Sequence, residues 1–259
     1  MGTLRVPAPE APLEGKTAPM ARPVATSPTT LTTRLLRGEH LVLYGPRGSG
    51  KSTLLARIYD RLSKDNVPCA LSKSTVSLRD MTSAWSRAYP AVDTSRMTQR
   101  RARARLLLAT EQRAGVLLLD HMTRVNSAMR GFIHRLRGRL AGVLIAVDVD
   151  GRREWQALRE LRLGMPLIPI SPQSMKRQKS LFQAYYADLA LPPLSPAQER
   201  QILRAARGRP GWIGQCSQLI RLDRYWHGQT LYASVLCIDT EIALQLGDPH
   251  PFVLVDRDS

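Results

Sequence analysis

Residues 45–52 read Gly45-Pro46-Arg47-Gly48-Ser49-Gly50-Lys51-Ser52, the spacing G-x-x-x-x-G-K-[ST] of a phosphate-binding loop. This string limits the fold more than any bulk property, because such a loop works only between a buried strand and the N-terminus of a helix. The glycines let the backbone curl so that successive N–H groups point inward at phosphate oxygens, where a Cβ would obstruct the turn. Lys51 reaches the β- and γ-phosphates, the Ser52 hydroxyl suits Mg²⁺, and Thr53 adds a hydroxyl for the α-phosphate. The flanking residues supply the context. His40–Tyr44 is a short apolar run fit for a buried strand, and Leu54, Leu55, Ile58 and Leu62 recur at helical spacing. The string therefore implies a nucleoside triphosphate with Mg²⁺, held at a helix N-terminus.

The rest of the first 172 residues repeats that strand–helix alternation. Helices are expected over Leu31–Arg37, residues 50–63, Asp80–Tyr89, 97–113 and Ser127–Leu140, the last with Ile133, Leu136 and Leu140 on one side. Strands are expected at 40–45, Pro68–Lys73, Gly115–Asp120, Gly142–Asp148 and Pro166–Ile170. Near-continuous apolar strands separated by helices indicate a parallel sheet covered on both faces. The pattern then changes to helices alone, over 173–189, 196–207, 211–222 and about 231–246. Ser195-Pro196 reads as N-cap and N1, and Gly208 as a stop. The expected organisation is a Pro/Ala/Thr-rich disordered tail at 1–30, a nucleotide-binding core at 31–172, a helical lid at 173–247 and a tail at 248–259.

Val116–Asp120 has the form of a Walker B strand, an apolar run with a carboxylate at its carboxyl end. Ligands bind at that end of parallel strands, so Asp120 and Ser52 are the candidate Mg²⁺ ligands. His121 follows; in the AAA+ superfamily, which these two motifs resemble, that position usually carries a Glu that orients the attacking water. An imidazole accepts protons near neutral pH but differs in geometry from a carboxylate. The alternative reading of His121 is a turn residue without catalytic duty.

Charge gives the second large signal. The net charge is +17, from 38 basic residues against 21 acidic ones, and six of the 38 are Lys. Such a balance points to a polyanionic partner, above all nucleic acid. An Arg-over-Lys bias also follows from a GC-rich genome, so clustering matters more than the total. Arg100, Arg101, Arg103 and Arg105 sit together, as do Arg135, Arg137 and Arg139. Arg200, Arg204 and Arg207 fall at i, i+4 and i+7, one stripe of a helix. No apolar run reaches the roughly 20 residues needed to cross a bilayer, and the first 33 residues lack a signal-peptide core. Cys69, Cys216 and Cys237 form no metal spacing and read as reduced thiols, so the expected location is cytoplasmic.

The two Walker motifs and the helical appendage resemble the AAA+ superfamily, nearest to bacterial ATPases of the transposition-helper and secretion type and to related STAND switches. The likeness spans about residues 31–246. It implies an α/β fold, an αβα sandwich with a five-stranded parallel sheet plus a small C-terminal helical lid. It also implies ATP and Mg²⁺ between core and lid, and a homo-oligomer. By the same resemblance, Arg159 and Arg162 are the arginine-finger candidates, ahead of Arg152 and Arg153, and Asp148 or Asp150 falls where a γ-phosphate sensor usually stands. Gly208-Arg209-Pro210-Gly211 resembles a lid turn that touches nucleotide at Pro210. Where transposition-helper relatives carry an Arg after that Pro, this chain has Gly211, with Arg209 as a possible substitute. The functions that follow are a DNA-associated, oligomerising ATPase without sequence-specific readout, or a nucleotide-state switch that binds ATP with little turnover and recruits a protein partner. A small-molecule kinase would need an acceptor-binding lid that the sequence does not provide.

Overall fold

The computed structural model describes residues 27–73, 77–92, 94, 96–122, 127–149 and 164–246. Its centre is a five-stranded parallel sheet of order β2-β3-β4-β1-β5. The strands are β1 (His40–Gly45), β2 (Cys69–Ser72), β3 (Val116–Leu119), β4 (Gly142–Asp148) and β5 (Leu167–Pro169). β4 therefore lies between β1, which feeds the phosphate loop, and β3, which carries the Walker B residues. Every residue of β3 and β4 is buried, as runs of Val, Leu and Ile covered on both faces require.

Two layers cover the sheet. On one face α1 (Pro28–Leu36) and α2 (Lys51–Lys64) contribute Leu31, Leu35, Leu55, Ile58 and Leu62. On the other, α3 (Leu78–Arg87), α4 (Gln99–Gln112) and α5 (Ser127–Arg137) contribute Met81, Trp85, Leu106, Phe132 and Leu136. Burying one such Leu or Phe side chain is worth about 2 kcal/mol. Local chemistry sets the helix starts. Ser27 accepts from Thr30 N with Pro28 in the first turn, and Ser77 and Asp80 form a reciprocal capping box. These caps put α1 three residues ahead of the expected Leu31 and α3 two ahead of Asp80.

The C-terminal portion is a separate cluster of α6 (Met175–Ala187), α7 (Pro196–Ala206), α8 (Pro210–Leu219) and α9 (Ala233–Leu246) around Phe182, Ile202, Trp212, Ile213 and Leu236. Two details correct the sequence reading. The segment is not helices alone: a 3-10 turn at Asp223–Tyr225 leads into a two-stranded antiparallel hairpin, β6 (Trp226–His227) and β7 (Thr230–Leu231). Strands of two residues carry no readable alternation, and the turn Gly228 with φ +59° was their one signal. The arginine stripe of α7 is also shorter than expected. Arg207 leaves the helix as its C-cap at φ +49°, so Arg200 and Arg204 share the face without it.

The described cysteines are all free thiols. No helix among the described residues is long and apolar enough to cross a membrane.

Candidate nucleotide-binding site

The loop between β1 and α2 takes the shape its glycines permit. Gly48 and Gly50 have φ of +74° and +94°, in the left-handed region. Gly50 is the N-cap of α2, yet no side chain caps that helix and its first turn holds no acid. The orphan N–H groups there remain turned toward the cleft, the arrangement that accepts an anion. A Cβ on Gly48 would stand 3.0 Å from Leu244 and 3.1 Å from the backbone N of Trp212, so the C-terminal cluster rests directly on the loop.

Lys51 is buried to 4% exposure, and its Nζ donates to the carbonyls of Gly45 and Pro46, both at 2.8 Å, and to Ser49 Oγ at 3.1 Å. It also pairs with Asp148 Oδ1 at 2.8 Å. That acid ends β4 in register with Gly45, which is why two residues 97 positions apart meet (148 minus 51). Arg47 adds a longer contact, Nε to Asp148 Oδ2 at 3.7 Å. Burial alone would push the Asp148 carboxyl up. The His121 hydrogen bond and the Lys51 charge outweigh it and hold the group at about 2.

Asp120 follows β3 and is also buried. Its Oδ1 accepts the backbone N–H of His121 at 2.9 Å, and His121 itself sits at φ +49°. The imidazole spans the site: Nδ1 lies 3.1 Å from Asp148 Oδ2, and Nε2 lies 3.3 Å from Ser52 Oγ and 3.8 Å from Asp120 Oδ2. The hydrogen bond to Asp148 raises the pKa of His121 against the opposing effect of burial.

From the C-terminal side, Gly211 N donates to Gly48 O at 2.8 Å and Arg47 Nη1 donates to Gln245 O. Pro210 approaches Gly50, 3.4 Å from where a Cβ would stand. Arg209 does not replace the missing lid arginine. It is buried within the C-terminal cluster, with Nη1 and Nη2 on Glu241 at 3.1 and 2.5 Å, and Trp212 Nε1 donates to the same carboxylate. The resulting cleft encloses about 970 Å³. Besides the loop it is lined by Pro28, Arg57, Gln173, Arg177 and Tyr185, none of which the motif search singled out. Arg57 was findable, since it stands one helical turn beyond Thr53 on the same face of α2. Arg177 on α6 had no local signal.

Of the residues expected from sequence, Arg47 to Thr53, His121 and Pro210 line this one cleft; Gly45 and Pro46 lead into it and Asp120 adjoins it through His121. Arg159 and Arg162, like Arg152, Arg153 and Asp150, lie outside the described residues. For Mg²⁺, the chemistry of the donors fits: Ser52 Oγ and Asp120 Oδ2 are hard oxygens, 3.3 and 3.8 Å from His121 Nε2. No group of three or more His, Cys, Asp or Glu among the described residues could hold a metal by itself. The cation would therefore share its sphere with phosphate and water, as Mg²⁺ does.

A parallel αβα sandwich with a Walker A loop after β1, a Walker B acid after β3 and an inserted strand between them defines a P-loop nucleotide-binding fold of the AAA+ kind. Residues 40–136 match the family model described as AAA domain (dynein-related subfamily). Among solved structures, domain III of the Thermotoga maritima replication initiation protein DnaA superposes with a TM-score of 0.52 at 13% identity, over 82% of this chain and 89% of that one. At such identity the likeness concerns the fold alone. AMPPCP-bound DnaA from Aquifex aeolicus gives 0.48 at 18% identity, over 75% of this chain and 60% of that one. The Thermotoga maritima RuvB Holliday junction branch migration motor gives 0.47 at 16%, over 83% and 66%. No curated protein sequence matches the chain.

Proposed function

We propose that the chain is an ATP- and Mg²⁺-dependent ATPase that assembles with copies of itself and works on DNA without reading its sequence. The observation that carries this reading is the meeting of a complete phosphate loop, a Walker B acid and a docked helical cluster around one cleft. In it, residues 45–52 cradle the phosphates and Lys51 exchanges its carbonyl partners and Asp148 for the γ-phosphate. Thr53 meets the α-phosphate and Pro210 closes over the loop. Ser52 and Asp120 hold Mg²⁺, which supplies neutralisation of the β- and γ-oxygens. His121 faces the same end of the cleft as the candidate base, and Arg159 and Arg162 are the candidates to complete a neighbouring copy's site.

Support for DNA comes from the distribution of charge. Arg100, Arg101 and Arg105 are exposed on α4, and Arg130 and Arg135 on α5, both helices covering the same face of the sheet. Only Asp80 and Glu111 are acidic among the helical residues of that layer. Arg139, two residues beyond α5, pairs with Glu111 of α4 at 2.7 Å, which brings the end of α5 near α4.

The test is steady-state ATP hydrolysis with and without DNA. Turnover that rises with DNA and falls by at least about 10²-fold in Lys51→Ala is expected, since transition-state charge stabilisation is what the lysine provides. One observation favours a second reading, a switch that holds ATP with little turnover and recruits a protein partner: Lys51 is engaged by Asp148, and His121 stands where a carboxylate would. Tight ATP binding with no turnover in either condition would select that switch.

A further inference from the structure

We propose that Asp148 is a positioning residue that makes His121 the water-orienting base of this site, the two side chains together standing in for the carboxylate expected after Asp120. The inference rests on the reading that the chain hydrolyses ATP. Three features converge on it. First, the strand order sets β4 beside both β1 and β3, so Asp148 emerges next to the phosphate loop and to the Walker B turn at once. Second, the Asp148 carboxylate can only accept, so the 3.1 Å contact places a hydrogen on His121 Nδ1 and leaves Nε2 as the acceptor of the neutral ring. Nε2 points at Ser52 Oγ, 3.3 Å away, that is, toward the phosphate end of the cleft. Third, the backbone is fixed as well. His121 is held at φ +49° by its N–H to Asp120 Oδ1 at 2.9 Å and by Met122 N to Ala146 O at 3.2 Å. A non-glycine residue pinned in that region by two contacts is the strained, over-determined geometry found at functional positions.

The imidazole is half exposed, while Asp120 and Asp148 behind it are buried. The ring is therefore far more open to water than the two carboxylates, which are 6% and 7% exposed. In the step, the water oxygen forms a bond to the γ-phosphorus and its proton passes to Nε2. The bond from the γ-phosphorus to the bridging oxygen breaks with its electron pair staying on ADP. The imidazolium that results lies between two carboxylates and returns its proton to solvent. Asp148 takes no proton; it fixes the ring and stabilises the cation. Its other oxygen pairs with Lys51, so Asp148 also competes with the γ-phosphate for that lysine.

This double engagement gives the experiment its resolving power. Mg-ATP kcat and KM are measured for the full chain and for Asp148→Asn, Asp148→Ala, His121→Ala and the His121→Ala/Asp148→Ala pair, with the ¹⁵N shifts of the His121 ring recorded in the unaltered protein. Asp148→Ala is expected to lose roughly 10²-fold in kcat, the size of a general-base contribution. Its KM should be lower or unchanged, because a competing anion is gone. Asp148→Asn should retain part of kcat, since its amide oxygen still accepts from Nδ1–H. The double variant should be no slower than His121→Ala alone. Independent, multiplying losses, an undiminished kcat in Asp148→Ala, or a ring protonated at Nε2 in place of Nδ1 would each overturn the dyad while leaving the ATPase reading intact. Absence of turnover in the unaltered chain would overturn the ATPase reading itself, and the dyad as a catalytic device with it.

Discussion

At the residue scale the site is built from conformations that few side chains tolerate. Gly48 and Gly50 occupy the left-handed region without penalty, and His121 occupies it at a cost. This separates backbone from imidazole in a simple pair of variants. His121→Gly and His121→Ala both delete the ring, yet the glycine form should be the more stable by about 1 kcal/mol, because only alanine retains the Cβ strain. Urea denaturation of the two proteins checks it, and equal midpoints would show that the φ is not imposed on the folded chain. The sequence exposed much of this scale and hid a specific part. The phosphate loop and Asp120 are local strings, legible because their chemistry depends on near neighbours. The contact of His121 with Asp148 is not local. It joins residues 27 positions apart through the pairing of two parallel strands, and nothing in either string announces it. Asp148 falls where a γ-phosphate sensor usually stands, and a bare acid there would repel phosphate; its pairing with Lys51 and His121 is what makes an acid tolerable.

At the element scale, the seam between the phosphate loop and α8 depends on two glycines meeting without side chains. A Cβ on Gly211 would lie 2.9 Å from Gly48 Cα, closer than packed atoms allow. Gly211→Ala should therefore destabilise the protein by about 1–3 kcal/mol, as overpacking does, and weaken ATP binding along with it. Calorimetric melting and nucleotide titration would show both losses, and an unchanged melt would mean the seam opens freely. Behind the seam, Glu241 is held below its usual pKa chiefly by the Arg209 hydrogen bonds, against a smaller opposing effect of burial. A carboxylate with a depressed folded pKa contributes stability that is complete above its ordinary value of 4.5 and disappears as pH falls through the lowered one. Acid should thus loosen α8 from α9 in that range, seen as a change in Trp212 emission, since its indole donates to Glu241 at 3.1 Å. Glu241→Gln should flatten the acid transition, and an identical transition in that variant would assign it elsewhere. Helices of this portion were readable from caps and periodicity, as Ser195 and Pro196 show. The hairpin at Trp226–Leu231 was not, being too short for any period and fixed by tertiary packing of Trp226 and Leu231.

At the scale of the whole molecule, a parallel sheet covered on both faces could be anticipated from apolar runs, because such strands admit almost no polar residues, whereas the order of the strands could not. The shape of the cleft could not, since Arg57, Arg177 and Tyr185 come from α2 and two parts of α6 that only the assembled fold brings together. The asymmetry of charge is a property of the same scale. If the α4 arginines engage DNA, each phosphate contact contributes about 0.9 to the slope of log affinity against log salt. Replacing Arg100, Arg101 and Arg105 by Ala should reduce that slope by up to roughly 2.7. Fluorescence anisotropy across a salt series measures it, and an unaltered slope would place the contact on another face. The Gly48–Gly211 seam carries a consequence of its own. A loop whose carbonyl supports one end of a helical cluster is a bearing as well as a cradle. A ligand that reshaped its grip would tilt the cluster resting on it, with no separate relay needed between cleft and cluster.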